Sequence, residues 1–311
     1  MSRIHEALKK AEQERAATQG VAPQPPDVPV PAAESAVLAG TVADTAFPAV
    51  AVPTTGMPAL SSQFGLETLL ARAAQLEWRP EPAAMLFMNG DDNARGTEEF
   101  RTLRSRLYHL REKMPLKKLL VTSALPKEGK SFTSANLAQV LVRQHGRRVL
   151  LIDADLRGPR LHLMLGTTAG PGLSDYLQGK SDEFSIIQRG PLEGLFFVPS
   201  GASIDDPAEL VGNGRLKLLL QRVEPLFDWI IVDSPPAVAV SDASVIAKAC
   251  DGVLMVVRSN STPFDAARKA RQEFPEQMLV GVVLNGTRDD VTPYARYYYE
   301  AYQKKATTTK A

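Results

Sequence analysis

The densest chemistry in the chain lies in LLVTSALPKEGKSFTSANLAQVLV, an apolar run, a short polar loop and a stretch with helical periodicity. The loop at residues 124–131, ALPKEGKS, has the spacing of a Walker A phosphate loop, with Ala124 where the first glycine usually stands. That exchange is tolerated if the backbone there needs no positive φ. Backbone N–H groups of Lys127, Glu128, Gly129, Lys130 and Ser131 fall at the start of a helix, where they can cradle an anion. Lys130 adds a point charge for the outer phosphates, and the Ser131 hydroxyl suits Mg²⁺. Phe132 completes the loop's helical junction.

Two more acidic sites strengthen this reading. VLLIDADL ends an apolar run with Asp153 and Asp155, which share a face if the extended chain continues. DWIIVDSPP ends another with Asp233, the position of a Walker B carboxylate. Carboxylates at buried strand ends are costly to desolvate unless paired, and a bound Mg²⁺ supplies the pairing charge. One such aspartate is most simply a cap for the next turn. Three beside a phosphate loop point to Mg·ATP, with Ser131, Asp155 and Asp233 around the metal.

These residues need a scaffold, and the pattern from about residue 85 to 290 supplies one. KLLVTS, RVLLID, LFFVPS, WIIVDS, GVLMVV and LVGVVLN alternate with helical segments. Continuous apolar runs imply strands buried on both faces, hence a doubly wound α/β domain with a mostly parallel sheet, the P-loop NTPase class. Such sheets bind ligands at the carboxyl ends of their strands, where the lysine and aspartates fall.

The rest of the chain reads differently. Residues 1–16 place Ile4, Ala7, Leu8 and Ala11 on one helical face, as an amphipathic helix that orders on a partner or membrane surface. Residues 17–84 are rich in Ala, Pro, Val and Thr and read as a flexible linker, with a short helix allowed at 63–75. The tail, 291–311, carries Tyr294, Tyr297, Tyr298, Tyr299 and Tyr302, five of the chain's seven tyrosines. It follows the last strand, so no core is left for these rings to complete. The balance of 36 Lys+Arg against 35 Asp+Glu gives no electrostatic case for nucleic acid as the main partner. A single cysteine, Cys250, excludes an intramolecular disulfide and reads as a small core residue. No apolar run approaches the length of a membrane helix, and the scattered histidines lack metal-ligand spacing.

Together these motifs resemble the bacterial tyrosine kinases of polysaccharide synthesis and export. The resemblance runs from about residue 83 to the C-terminus. ALPKEGKS is similar to the family's Walker A, LLIDADLRGPRLH to its second Walker motif (A′), and WIIVDSPP to its Walker B. EEFRTLRSR repeats the family's E-x-x-R-x-x-R pattern as Glu98, Arg101 and Arg104. The resemblance implies an ATP- and Mg²⁺-dependent autokinase that phosphorylates the tail tyrosines in trans and so regulates exopolysaccharide or capsule polymerisation and export. It implies a ring of subunits joined through Glu98, Arg101 and Arg104; from residue types alone that trio is a solvated face with weak ion pairs. It also implies Asp153 as acceptor of the phenol proton, with the roles of Asp153 and Asp155 open to exchange. Asn285 is similar to an adenine-contacting position, and Arg258 is placed near the base. Arg157 and Arg160 are either phosphate or tail contacts or, more simply, helix-surface charges. As partners it implies the cytoplasmic segment of a membrane polysaccharide co-polymerase as activator and a cognate tyrosine phosphatase. The chain would then be cytoplasmic and peripheral to the inner membrane.

Two residues depart from the family pattern. Lys127 stands where glycine is usual, and Phe132 where many members have a small or hydroxyl residue. They keep open a nucleotide-bound, non-catalytic scaffold of an export complex. The other alternative is a MinD/ParA-like switch ATPase, against which Leu125 stands where those proteins carry an extra lysine.

Overall fold

The computed structural model describes residues 65–87, 96–144 and 146–287. The expected N-terminal helix, most of the linker and the five tail tyrosines lie outside the described residues.

One eight-stranded sheet organises the described chain. Its strands are β1 (Ala74–Gln75), β2 (Lys118–Ser123), β3 (Val149–Asp153), β4 (Gln188–Arg189), β5 (Leu195–Val198), β6 (Trp229–Asp233), β7 (Gly252–Arg258) and β8 (Leu279–Asn285). They lie in the order β1-β4-β5-β3-β6-β2-β7-β8. β4 and β5 are antiparallel, and the other pairings among the described residues are parallel. The six long apolar runs are β2, β3, β5, β6, β7 and β8. The two-residue strands β1 and β4 are too short to leave a periodic signal.

Nine α-helices flank the sheet among the described residues: α1 (Leu66–Arg72), α2 (Thr97–Arg111), α3 (Lys130–Val142), α4 (Leu161–Leu165), α5 (Leu173–Leu177), α6 (Pro207–Gly212), α7 (Arg215–Val223), α8 (Asp242–Ala247) and α9 (Phe264–Gln272). Alternate strand residues feed two apolar layers, as parallel strands covered on both faces require. Leu120, Leu150, Ile152, Ile230 and Val232 enter one, beneath α5, α7 and α8. Leu119, Val121, Leu151, Trp229 and Ile231 enter the other, beneath α2, α3 and α4. Of α3, all but Phe132 is classed as buried, because α2 covers its outer side and the sheet its inner side. Phe100 of α2 packs on Phe87 (6.3 Å between ring centroids) and on Phe132 (6.0 Å). Cys250 is half-buried against the first layer, and burial, with a smaller contribution from Asp251, pushes its thiol up to about 12.

The linker reading needs correction at its C-terminal end. Residues 65–84 fold against the sheet instead of running free of it. α1 buries Leu69 completely, β1 pairs with β4, and Trp78 is 4% exposed. The Trp78 ring meets Phe197 edge-on at 6.2 Å. It also lies where a Cβ on Gly190 would come within 2.2 Å, so that glycine makes room for it. Asn136 of α3 clips the segment further on, accepting the Leu86 N–H (2.8 Å) and donating to the Ala84 carbonyl (2.8 Å). Averaged over 17–84 the composition is that of a linker. A few large side chains near its end bury enough apolar area, about 1.5–3 kcal/mol each, to hold the last twenty or so residues. Among the described residues no helix is long and apolar enough to cross a membrane.

Candidate active site

The carboxyl ends of β2, β3, β6, β7 and β8 converge on one edge of the sheet, and the phosphate loop sits at the centre of that edge. The β2–α3 crossover passes over β6, so the loop, Asp155 and Asp233 come from three adjacent strands. The loop alternates its backbone. Lys127 has φ +65° and Gly129 φ +96°, conformations glycine adopts freely and other residues rarely. Lys127 therefore takes the left-handed geometry that explains the usual glycine there, at a cost of order 1 kcal/mol. At Gly129 a side chain would be strained by the positive φ, and its Cβ, 2.0 Å from Nδ2 of Asn285, would displace that amide.

Beyond the loop, the side chains form one connected polar cluster. Lys130 Nζ lies 2.6 Å from Asp155 Oδ2 and 3.6 Å from Asp233 Oδ2. Ser131 Oγ donates to Asp233 Oδ2 at 2.6 Å, and Ser134 Oγ to Asp233 Oδ1 at 3.0 Å. Ser134, one helical turn beyond Lys130, was not expected from the motif. It orients the Walker B carboxylate from the far side. Asp153 lies deeper and is fully buried. Its Oδ2 accepts the Leu161 N–H (3.1 Å) and its Oδ1 the Asp155 N–H (3.3 Å). The latter contact joins the two aspartates by a local turn, not by continued extension, since β3 ends at Asp153. Asp155 retains 7% side-chain exposure and accepts the Gly158 N–H (3.0 Å).

The electrostatics follow from one ammonium facing three carboxylates out of water. Burial would depress the Lys130 pKa, but Asp233 and Asp155 outweigh it and raise it. Desolvation raises Asp233 despite the opposing pull of Lys130 and Ser131. Desolvation, followed by repulsion from Asp233, also raises Asp153. The cluster therefore lacks positive charge, and its donors are hard oxygens: a hydroxyl and carboxylates. That set fits Mg²⁺, which is usually held by one or two carboxylates plus substrate phosphates and not by an all-protein cage.

The remaining expected residues fall at two distances from this cluster. Arg258 and Asn285, register partners on β7 and β8, reach the loop's backbone. Arg258 Nη1 donates to the Lys127 carbonyl (3.0 Å), and Asn285 Nδ2 to the Glu128 carbonyl (2.9 Å). The Glu128 side chain turns inward and accepts the Leu125 N–H (2.9 Å). The Phe132 ring packs on α2 and does not fill the phosphate cradle. Arg157 is not a free surface charge. Its Nε and Nη2 grip the buried Asp242 at 2.8 and 3.1 Å, tying the Asp155 loop to the start of α8. Sequence reasoning missed Asp242, which lies 85 residues from its partner. On α2, Glu98 and Arg101 pair with each other, while Arg104 donates to the Val140 carbonyl of α3 (3.0 Å). This trio is separate from the lysine–aspartate cluster.

Comparison with known proteins agrees with this geometry. A ParA family model, described as NUBPL iron-transfer P-loop NTPase, matches residues 116–288. The tyrosine-protein kinase YwqD of Bacillus subtilis is 34% identical over 205 residues, covering 65% of this chain and 85% of that protein. The tyrosine-protein kinase Wzc of Salmonella typhimurium is 31% identical over 222 residues, which are 71% of this chain but 31% of that one. The solved kinase domain of the Escherichia coli tyrosine kinase ETK superposes with a TM-score of 0.60 at 31% identity, covering 66% of this chain and 82% of that domain.

Proposed function

The chain belongs to the bacterial tyrosine kinases of the ParA-like P-loop fold, and from that membership we propose that it transfers the γ-phosphate of ATP to tyrosines of its own tail, in trans within a ring. The observation that carries the reading is the lysine–carboxylate cluster at a phosphate loop, short of positive charge and lined with hard oxygen donors.

Phosphoryl transfer depends mainly on positioning and charge neutralisation. The N–H groups of residues 127–131 and the Lys130 ammonium hold the outer phosphates of ATP. Ser131, Asp233 and Asp155 are the residues that hold Mg²⁺, which when bound neutralises phosphate charge. The acceptor phenol has an unperturbed pKa near 10, so its proton needs a base. Asp153 suits that task by its raised proton affinity. Asp155 suits it by being the more exposed of the two. Asp153→Asn separates them: if Asp153 is the base, this variant loses transfer yet keeps Mg·ATP affinity, whereas Asp155→Asn, which also removes a metal-holding carboxylate, lowers both.

Glu98, Arg101 and Arg104 on α2 are proposed to join neighbouring subunits, bringing Tyr294, Tyr297, Tyr298, Tyr299 and Tyr302 of one chain to the cluster of the next. The activator is proposed to be the cytoplasmic segment of a membrane polysaccharide co-polymerase, with a tyrosine phosphatase reversing the modification and polysaccharide export as the process regulated. A ParA-like switch ATPase is the second reading, favoured by the match of a ParA family model to residues 116–288. Leu125 weighs against it, since it packs against the core where those proteins carry their extra lysine.

Mixing two full-length variants tests transfer between chains. A donor with all five tail tyrosines changed to Phe is incubated with a Lys130→Met acceptor, Mg·ATP and the membrane partner's cytoplasmic segment. Phosphotyrosine on the acceptor supports transfer in trans. An unlabelled acceptor, beside a wild-type chain that does label itself, would sink it.

A further inference from the structure

Resting on the nucleotide-binding reading above, we propose that Thr262, Arg258 and Asn285 form a bracket that holds the phosphate loop in its anion-binding shape, with Glu128 as the side chain they grip. These are positioning residues. They act on the loop's backbone.

An anion cradle needs successive N–H groups turned inward, which forces the intervening carbonyls outward. Outward carbonyls must find donors in water or in the rest of the fold, and donors from the fold fix their direction. The structure supplies one donor for each of two adjacent carbonyls, Arg258 for Lys127 and Asn285 for Glu128. Both donors are themselves held. Asn285 Oδ1 accepts the Gly286 N–H (2.9 Å), which leaves its amide N–H groups facing the loop. The Ser259 N–H binds the Asn285 carbonyl (2.8 Å), locking the ends of β7 and β8 together.

Thr262 closes the bracket. Its hydroxyl accepts the Arg258 N–H (3.0 Å) and donates to Glu128 Oε1. The other Glu128 oxygen accepts the Leu125 N–H at the opening of the loop. Glu128 is 3% exposed, a buried carboxylate held by these two donors. Such a group is costly to leave unpaired, so it fixes the loop only while both donors stay. The two left-handed residues, Lys127 and Gly129, flank the gripped residue. Outside contacts are where the strain of a non-glycine at Lys127 is offset.

Titration of the full-length chain with Mg·ATP and, separately, with Mg·tripolyphosphate tests this, because the second ligand has no base. Thr262→Val removes the hydroxyl at constant shape and is expected to weaken both ligands alike, by about tenfold. Thr262→Ser is expected to restore both. Asn285→Ala is expected to weaken both by the same factor. If Asn285→Ala weakened ATP but left tripolyphosphate unchanged, Asn285 would read adenine and its place in the bracket would be lost. If Thr262→Val bound both ligands as tightly as wild type, the bracket would be overturned. Should Thr262→Val fail to fold, the serine and asparagine variants still decide. A wild-type chain that bound neither ligand would remove the nucleotide reading itself, a result distinct from either failure.

Discussion

A lysine set between two carboxylates occurs at both ends of β2, and the two triads do different work. At the amino end, Lys118 Nζ lies 2.6 Å from Glu224 and 3.0 Å from Asp251. Asp251 also accepts the Lys117 and Lys118 N–H groups at 2.8 and 2.7 Å. Its charge is met on the spot, and Glu224 and Asp251 keep 35% and 21% side-chain exposure. At the carboxyl end, Lys130 faces Asp155 and Asp233 with 7% and 0% exposure, and a third buried carboxylate, Asp153, lies behind them. Water screens the first triad, which leaves a latch between β2, β7 and the turn before β6. Burial withholds that screening from the second, whose surplus of carboxylates favours added positive charge. Residue type is nearly the same at both; burial and the number of carboxylates separate a structural contact from a reactive one.

That contrast is broken most sharply by removing one carboxylate at each end. Asp233→Asn is expected to lower phosphotransfer by a factor on the order of 10²–10³, while the ligand-free melting temperature stays level or rises, because a costly buried charge is gone. A large fall in melting temperature would make the second triad a latch as well. Asp251→Ala is expected to do the reverse. It leaves nucleotide affinity unchanged and destabilises the fold by about 2 kcal/mol, since two N–H groups and an ammonium lose their acceptor. Urea unfolding with and without Mg·ATP measures both effects.

The smallest effect is in pH. Burial lowers the Lys118 pKa, but its bonds to Glu224 and Asp251 outweigh burial and raise it above 10.5. A raised folded value means that this contribution is fully present below the unfolded value and is lost as pH rises through the folded one. Wild type should therefore lose stability above about pH 10.5 more steeply than Lys118→Met, by less than about 1 kcal/mol. Parallel unfolding curves for the two proteins across that range would remove Lys118 from the latch.

The contrast also shows what the sequence makes legible. Five of the six long strands announce themselves because burial on both faces demands unbroken apolar runs; β8 carries such a run at the sheet edge, with Val282 and Leu284 exposed. Lys130, Ser131, Asp155 and Asp233 are legible because the loop and strand ends fix their spacing locally. The short helix allowed at 63–75 is α1, but the docking of residues 65–84 on the sheet is not legible, because Leu69 and Trp78 are diluted by prolines and alanines and their partners lie far along the chain. Asp242 and Thr262 gave no signal at all. Their roles depend on meeting Arg157 and Glu128 across 85 and 134 residues, contacts that only the strand order creates. Glu128 was placed correctly in the loop, but the inward turn of its side chain was not legible.

The most direct test of the central claim is phosphopeptide mapping of residues 290–311 in wild type and Lys130→Met, each expressed with its membrane partner. Phosphotyrosine among Tyr294–Tyr302 in wild type, absent from Lys130→Met, is the predicted result. An unmodified tail in both, despite measured ATP binding and partner association, would contradict it and leave a nucleotide-binding switch or scaffold in its place.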